Sequence, residues 1–359
     1  MGEVLASSHR QPGHTRTVMA KLRSIALLAA ALLLSAPSLP LPQFSLPSIT
    51  ALDRPTQGHG LSVLTYNVKG LPWPAARNRH PAIAAIGDSL RLMRSQGVQP
   101  RVVLLQEAFV DEAKGIGRVA GYPYMAVGPI SAPLTAKPPL GGKFAAAEQW
   151  LKGERSSNIV DSGLVVLSDY PIVRSRRFAF PKGACAGFDC LAAKGVLVAW
   201  IKVPGARQPV AVANTHLNSR HAASVPEQRA DEANAWQIGA VRKFLSSAVT
   251  AETPLILGGD LNIGQAEDRQ EALDSQPLIG NGQTDGLAAA VALNEIIPSS
   301  IAEAGHILER NKDRILSRDG NRTNLLPYRA WVPFPMSTVK KPMSDHAGFV
   351  VEYRVRLTI

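Results

Sequence analysis

Residues 254–262 read Pro-Leu-Ile-Leu-Gly-Gly-Asp-Leu-Asn. A short apolar run of strand length stops at two glycines and a polar Asp260-x-Asn262 pair, which an apolar core would not select. Alternate side chains of an extended chain share a face, so Asp260 and Asn262 can point into one cleft. The pattern recurs outward from this stretch. Leu61 to Thr65 runs into Tyr66-Asn67, Val102 to Leu105 into Gln106-Glu107, and Val210 to Ala213 into Asn214-Thr215-His216. Lys312-Asp313-Arg314-Ile315 and Ser344-Asp345-His346 stand near the carboxyl end. Polar groups at several strand ends converge at one rim of a sheet, the usual place for a site. An Asn, a Glu, an Asp-x-Asn and an Asp-His supply hard oxygen ligands and two imidazoles, a set suited to Mg²⁺ rather than to a soft metal.

Other strand-length runs cover 163–167, 196–203 and 349–355. Helical periods lie between some of them, one set by Ile83, Ile86, Leu90 and Met93, and a longer one over 226–248 with Pro226 suited to a first turn. Several strands follow one another with no helix between, which argues for packed sheets with helices outside rather than a simple doubly wound sheet. No linker divides 60–359, so one domain is expected there. The Pro- and Gly-rich loop 129–142 reads as a mobile segment or a lip over a site.

The composition, 45% hydrophobic and 19% charged over 359 residues, is globular and excludes a disordered or fibrous chain. Two cysteines are too few for a disulfide scaffold or a four-cysteine zinc site. The net charge of +11 favours anionic partners without choosing among nucleic acid, phospholipid and phosphorylated metabolites. Residues 1–36 have the shape of a secretory signal, with Lys21 and Arg23 before the ten apolar residues Ile25 to Leu34, and Met19 is a candidate start. Ten apolar residues are about half of what spans a bilayer as a helix. Residues 37–59 hold Pro37, Pro40, Pro42, Pro47 and Pro55 and read as a linker. An exported protein is therefore expected, periplasmic or extracellular. Loss of residues 1–40 removes four basic residues and one acid and lowers the charge from +11 to +8.

Two short motifs mislead. Gly87-Asp88-Ser89-Leu90 spells a serine-esterase motif, but Ser89 lies inside a helical period rather than after a buried strand. Gly141-Gly142-Lys143 lacks the first glycine and the Ser or Thr of a nucleotide loop.

The polar pieces from Asn67 to His346, taken in order, resemble the endonuclease/exonuclease/phosphatase superfamily, the DNase I-like metal-dependent phosphoesterases. The resemblance implies an α/β (α+β) fold, a four-layer sandwich of two packed mixed β-sheets flanked by helices, and hydrolysis at phosphorus. It places Glu107 as the primary Mg²⁺ carboxylate, with Asn67 in support and Mn²⁺ or Co²⁺ as other candidate ions. Asp260 and Asn262 would orient the attacking water and hold a phosphate oxygen or a second metal. His346 is placed as general base or metal-linked activator with Asp313 fixing its ring, Asp345 as a ligand or an orienting neighbour, and His216 as donor to the phosphate or leaving oxygen.

Three substrate classes stay open at this point: nucleic acid, inositol phosphates and sphingomyelin-like phospholipids. Residues 185–200 resemble the segment of neutral sphingomyelinases in which an Asp and a Lys five apart precede a Gly and a strand, here Asp189 and Lys194. Lys69 stands where those enzymes often carry Trp. Trp331 and Phe334, near Arg329, Lys340 and Lys341, either pack on a sheet edge, which Pro333 and Pro335 favour over a regular hairpin, or serve as interfacial anchors as the resemblance suggests. Cys185 and Cys190 bracket Asp189, and their separation permits a small ring without requiring one. The resulting expectation is a secreted, monomeric, Mg²⁺-dependent phosphodiesterase of sphingomyelinase or phospholipase C type, with a DNase I-like endonuclease or an inositol phosphatase as alternatives. The basic balance would serve a nuclease, but no Lys/Arg run with interleaved aromatics marks a strand path.

Overall fold

Period-2 alternation sets the architecture. In β1 (Leu61–Gly70) Leu61 and Val63 enter one apolar core while Leu64, Tyr66 and Val68 enter another, so both faces of the strand are buried. The structure, a computed structural model, describes residues 60–134 and 139–357, all within one compact unit. The signal and linker expected over 1–59 lie outside the described residues, as does part of the 129–142 loop.

β2 (Val102–Ala108), β3 (Tyr124–Val127), β4 (Val165–Ser168), β11 (Thr323–Phe334) and β12 (Gly348–Leu357) complete the first sheet, in the order β11-β12-β1-β2-β4-β3. The second sheet has the order β5-β6-β7-β8-β10-β9, from β5 (Ile172–Ala179), β6 (Gly195–Ile201), β7 (Val210–His216), β8 (Leu255–Asp260), β9 (Thr284–Asp285) and β10 (Asp313–Arg318). Both sheets are mixed: β1 and β2 pair in parallel, as do β7 and β8, among antiparallel neighbours. The central core joins the inner faces, Val63, Val102 and Leu104 meeting Leu197, Val212 and Ile256. Helix α1 (His80–Ser95) covers the outer face of the first sheet through Ile83, Ile86, Leu90 and Met93. Helix α2 (Glu227–Ala248) covers the second through Ile238, Val241, Phe244 and Leu245. The four expected layers are present, and Ser89 is a buried residue of α1.

Three readings change. Pro226 precedes α2 as its cap residue, and the helix begins at Glu227. β5 and β10 carry no apolar run in the sequence, because the first is an exposed edge with Arg174, Arg176 and Arg177, and the second interleaves Asp313, Arg314, Ser317 and Arg318 with only two apolar residues. The third concerns Trp331 and Phe334, which are 4% and 2% exposed and cannot anchor in lipid. They belong to β11, and Phe334 stacks on Tyr66 with ring centroids 4.7 Å apart. Prolines interrupt this strand without ending it because β11 is an edge strand, and its register with β12 shifts beside Pro327 and Pro333.

Two buried carboxylates hold loops near the sheet ends. Glu303, in α3 (Ile301–Arg310), accepts from the backbone N–H of Met336, Ser337 and Thr338 and from two of their hydroxyls. Glu154 accepts from Arg229, Gln149 N–H and Gly187 N–H. Burial opposes ionisation of both, but these donors outweigh it and hold both carboxyls below the usual carboxylate range. Stability from a depressed carboxyl is present above its unfolded pKa, about 4.3, and is lost as pH falls through the lower folded value. Acid titration of the melting temperature should show a fall below about pH 4.3 that Glu303→Gln reduces. An unchanged acid limb in that variant would remove Glu303 as its source.

Candidate active site

The same alternation that builds the central core aims the polar strand ends. Leu61 and Val63 put Asn67 on the inner face of β1; Val102 and Leu104 do so for Gln106, Val210 and Val212 for Asn214 and His216, Ile256 for Asp260, and Ile315 for Asp313. Glu107 falls on the wrong parity. A left-handed backbone at Glu107, φ 54°, breaks the alternation at the end of β2 and brings its carboxyl beside Asn67. Such a conformation in a non-glycine residue costs about 1 kcal/mol or more and persists where the surroundings fix it. Asn262 also has a positive φ, 52°, just past the end of β8.

Asp260 Oδ2 is the centre. Asn67 Nδ2 donates to it at 3.2 Å and to Glu107 Oε1 at 3.0 Å, His216 Nε2 lies 3.5 Å away and His346 Nε2 3.6 Å. The other oxygen, Oδ1, accepts from Asn262 N at 3.0 Å. Asp313 Oδ2 lies 2.8 Å from His346 Nδ1, the expected pairing. Burial alone would lower the His346 pKa, but Asp313 and Asp260 outweigh it and raise it to about 9. His216 is pushed the other way, by burial first and by the Lys194 charge second, so its imidazole is neutral. Lys194 Nζ lies 3.0 Å from His216 Nε2 and donates to Asp189 Oδ2 and to Leu217 O, both at 2.9 Å. The two residues five apart in sequence are thus in contact, and the same ammonium also touches His216 in the site. The Cys185–Cys190 disulfide is formed around Asp189, whose Oδ2 also accepts from Ser219 N.

The residues fit a divalent cation. Burial pushes the Glu107 carboxyl up and the Asp260 charge adds to this, while the Asn67 hydrogen bond, Lys194 and His346 oppose it. A buried carboxylate, Asp260, and a half-buried one, Glu107, bridged by one amide call for positive charge between them. Ligand atoms of Asp260, Asp313 and His346 also lie within 4.8 Å of one another. Asp345 stands outside that group. Lys69 Nζ takes its carboxylate at 2.7 Å on the rim, which gives the unexpected Lys69 a partner.

Sequence reasoning missed the supports. Gln106 Nε2 donates to Asn214 Oδ1 at 2.8 Å, and Asn214 Nδ2 donates to Leu105 O and Val165 O, so two amides tie the sheets together beneath the site. Their signal was present, since both fall on the inner parity of apolar strands. Arg79 donates to Val68 O, Lys69 O and Met343 O, joining the end of β1 to the segment that carries His346. Arg269, fully buried in helix α4 (Glu267–Asp274), pairs with Asp231 and donates to Asn218 O. It also donates to Asn262 O at 2.5 Å. Asn234 of α2 bonds Asn218 O and Leu261 O, so one polar patch of the helix holds the exits of β7 and β8.

Comparison with known proteins agrees with this architecture. No protein-family profile matches the chain. A sphingomyelinase of Dictyostelium discoideum is 30% identical over 142 residues, 33% of this chain and 31% of the relative, so the match spans about a third of the relative's length. Staphylococcus aureus beta toxin, solved as a variant with bound magnesium ions, superposes over 82% of this chain and 100% of its own with a TM-score of 0.52 at 17% identity. D. rerio TDP2 complexed with a single-strand DNA product covers 82% of this chain and 99% of its own, with a TM-score of 0.52 at 15% identity. The fold is DNase I-like, as the order of the polar pieces implied.

Proposed function

We propose, for a chain that carries the DNase I-like fold, that it is a divalent-metal-dependent phosphodiesterase acting on a sphingomyelin-type phospholipid. The observation that carries this reading is the convergence of Asn67, His216 and His346 on one oxygen of Asp260, with Glu107 joined to it through the Asn67 amide. Glu107 and Asp260 would hold the cation, whose charge neutralises the phosphate and eases the growing charge on the leaving oxygen.

The rest is the work of side chains. Asp313 fixes the His346 ring through Nδ1, so Nε2 is the atom that exchanges a proton with water in the cleft. Asn262, anchored to Asp260 Oδ1 through its N–H, helps set the floor on which that water sits. Lys194 contributes a point charge beside the neutral His216, and its ammonium, held there by His216 Nε2, supplies a hydrogen bond and a proton to the ester oxygen that leaves. Water attacks phosphorus and its proton passes to Nε2 of the deprotonated form of His346, the bond from phosphorus to the ceramide oxygen breaks, and that oxygen gains a proton from the Lys194 ammonium; ceramide and phosphocholine are the products.

The lipid reading is supported by the Asp189–Lys194 pair and by the relative's name, and the nuclease reading by the TDP2 likeness. Side-by-side turnover of sphingomyelin liposomes and plasmid DNA in Mg²⁺ decides between them. Phosphocholine release should fall by about 10²- to 10⁴-fold in both His346→Ala and His216→Ala, and chelation of the metal should stop it. DNA cleavage without lipid turnover would replace the reading with a nuclease. Export through residues 1–36 belongs to the same proposal, and amino-terminal sequencing of the secreted chain tests it.

A further inference from the structure

With Trp331 and Phe334 buried, the exposed apolar side chains lie elsewhere. Ile130, Leu134, Trp150, Leu151 and Ile159 are 72%, 87%, 64%, 73% and 69% exposed, and Phe188 is 43% exposed. They belong to three segments that backbone and side-chain hydrogen bonds join into one lobe. Asn158 accepts from Ala132 N and donates to Cys190 O, Ile159 N donates to Leu191 O, and Lys182 N donates to Pro133 O. The Lys152 ammonium sits 5.0 Å from the centre of the Phe188 ring.

The charge around them is one-sided. Within 139–159 and 180–188 the basic residues are Lys143, Lys152, Arg155 and Lys182; the acids are Glu148, paired with Arg155, and Glu154, buried against Arg229. Isolated exposed apolar residues are ordinary, but six on one hydrogen-bonded lobe, in segments whose two acids are both paired while Lys143, Lys152 and Lys182 add positive charge, mark an interaction surface. The lobe also adjoins the site, since Phe188 precedes Asp189, which holds Lys194 against His216.

We infer that this lobe is the surface by which the protein docks on an anionic phospholipid bilayer, Trp150 and Leu151 entering the headgroup boundary while Lys143, Lys152 and Lys182 meet lipid phosphates. A bilayer is the partner that accepts apolar side chains and positive charge on one face. The inference rests on the phospholipid reading above and assigns that reading a place of contact.

The test measures binding apart from turnover. The full chain is sedimented with vesicles of phosphatidylcholine, with and without phosphatidylserine, in the presence of a chelator. The wild type should bind, more tightly with phosphatidylserine, and Trp150→Ala/Leu151→Ala should bind roughly 100-fold more weakly, the loss expected for two apolar side chains. Hydrolysis of the soluble ester bis(p-nitrophenyl) phosphate in Mg²⁺ should be equal in the two proteins. Leu293→Ala, which removes an apolar residue 58% exposed outside the lobe, should bind like the wild type. Equal vesicle binding by wild type and the double variant overturns the inference, as does a wild type that does not bind. A wild-type dimer that becomes monomeric in the double variant also overturns it, because the lobe would then pair two copies of the chain. Absence of soluble-ester hydrolysis with intact vesicle binding would instead count against the catalytic reading alone.

Discussion

Glu107→Gln should fold normally and lose phosphodiester turnover by about 10³-fold or more, the scale of removing a metal's charge stabilisation from a transition state. The substitution keeps an oxygen that accepts from Asn67 Nδ2, so the bridge to Asp260 survives. What disappears is the charge. Burial already pushes this carboxyl towards its protonated form, and Asp260 pushes it further. The metal-free variant should therefore melt no lower than the wild type, while calorimetric titration with Mg²⁺ should show its binding heat reduced or gone. A variant that keeps full activity and full metal binding would take Glu107 out of the metal site and leave Asp260, Asp313 and His346 as the alternative cluster.

Arg269→Met should produce the larger effect on stability. Its guanidinium is fully buried, pairs with Asp231 at 2.6 Å, and donates to two carbonyls that leave β7 and β8. Removing one partner of a buried ion pair costs about 3–5 kcal/mol. Arg220, 3.2 Å from the other oxygen of Asp231, keeps that carboxylate from being wholly unpaired, so the low end of the range is expected. Denaturant unfolding measures it. Turnover should fall as well, through misplacement of Asn262 rather than loss of a reacting group. Normal stability in the variant would show that water reaches these carbonyls and satisfies them.

The chain states its strands most clearly where both faces are buried. Val102 to Leu105 and Val210 to Ala213 are legible because continuous apolar runs of strand length are what a sheet buried on both faces requires. Edge strands give no such signal: β5 shows solvent a row of arginines, and β11 carries prolines that would disqualify an interior strand. The site residues were legible by type, since Asp, Asn, Glu and His rarely end apolar runs without a reason. Their mutual distances were not, because Asn67 and Asp260 are 193 residues apart and meet only across the two sheets. Trp331 was misread for a related reason. Arg329, Lys340 and Lys341 lie on either side of it in sequence and suggest a wet, basic surface, while its neighbours in space are the apolar residues beneath α1.

The amide pair Gln106–Asn214 has a consequence for how the candidate site is assembled. Asn67, Glu107 and His346 belong to the first sheet and its loops, whereas His216, Asp260 and Asp313 belong to the second. Each sheet holds three of these six residues, and neither holds a complete centre. The reactive constellation exists only when the two are docked in one alignment, and the Gln106–Asn214 bond sits where a slip between them would first be felt. Catalytic competence is then a report on quaternary-like mating inside a single chain: during refolding, activity should return in step with burial of the inter-sheet interface and lag the appearance of either sheet by itself.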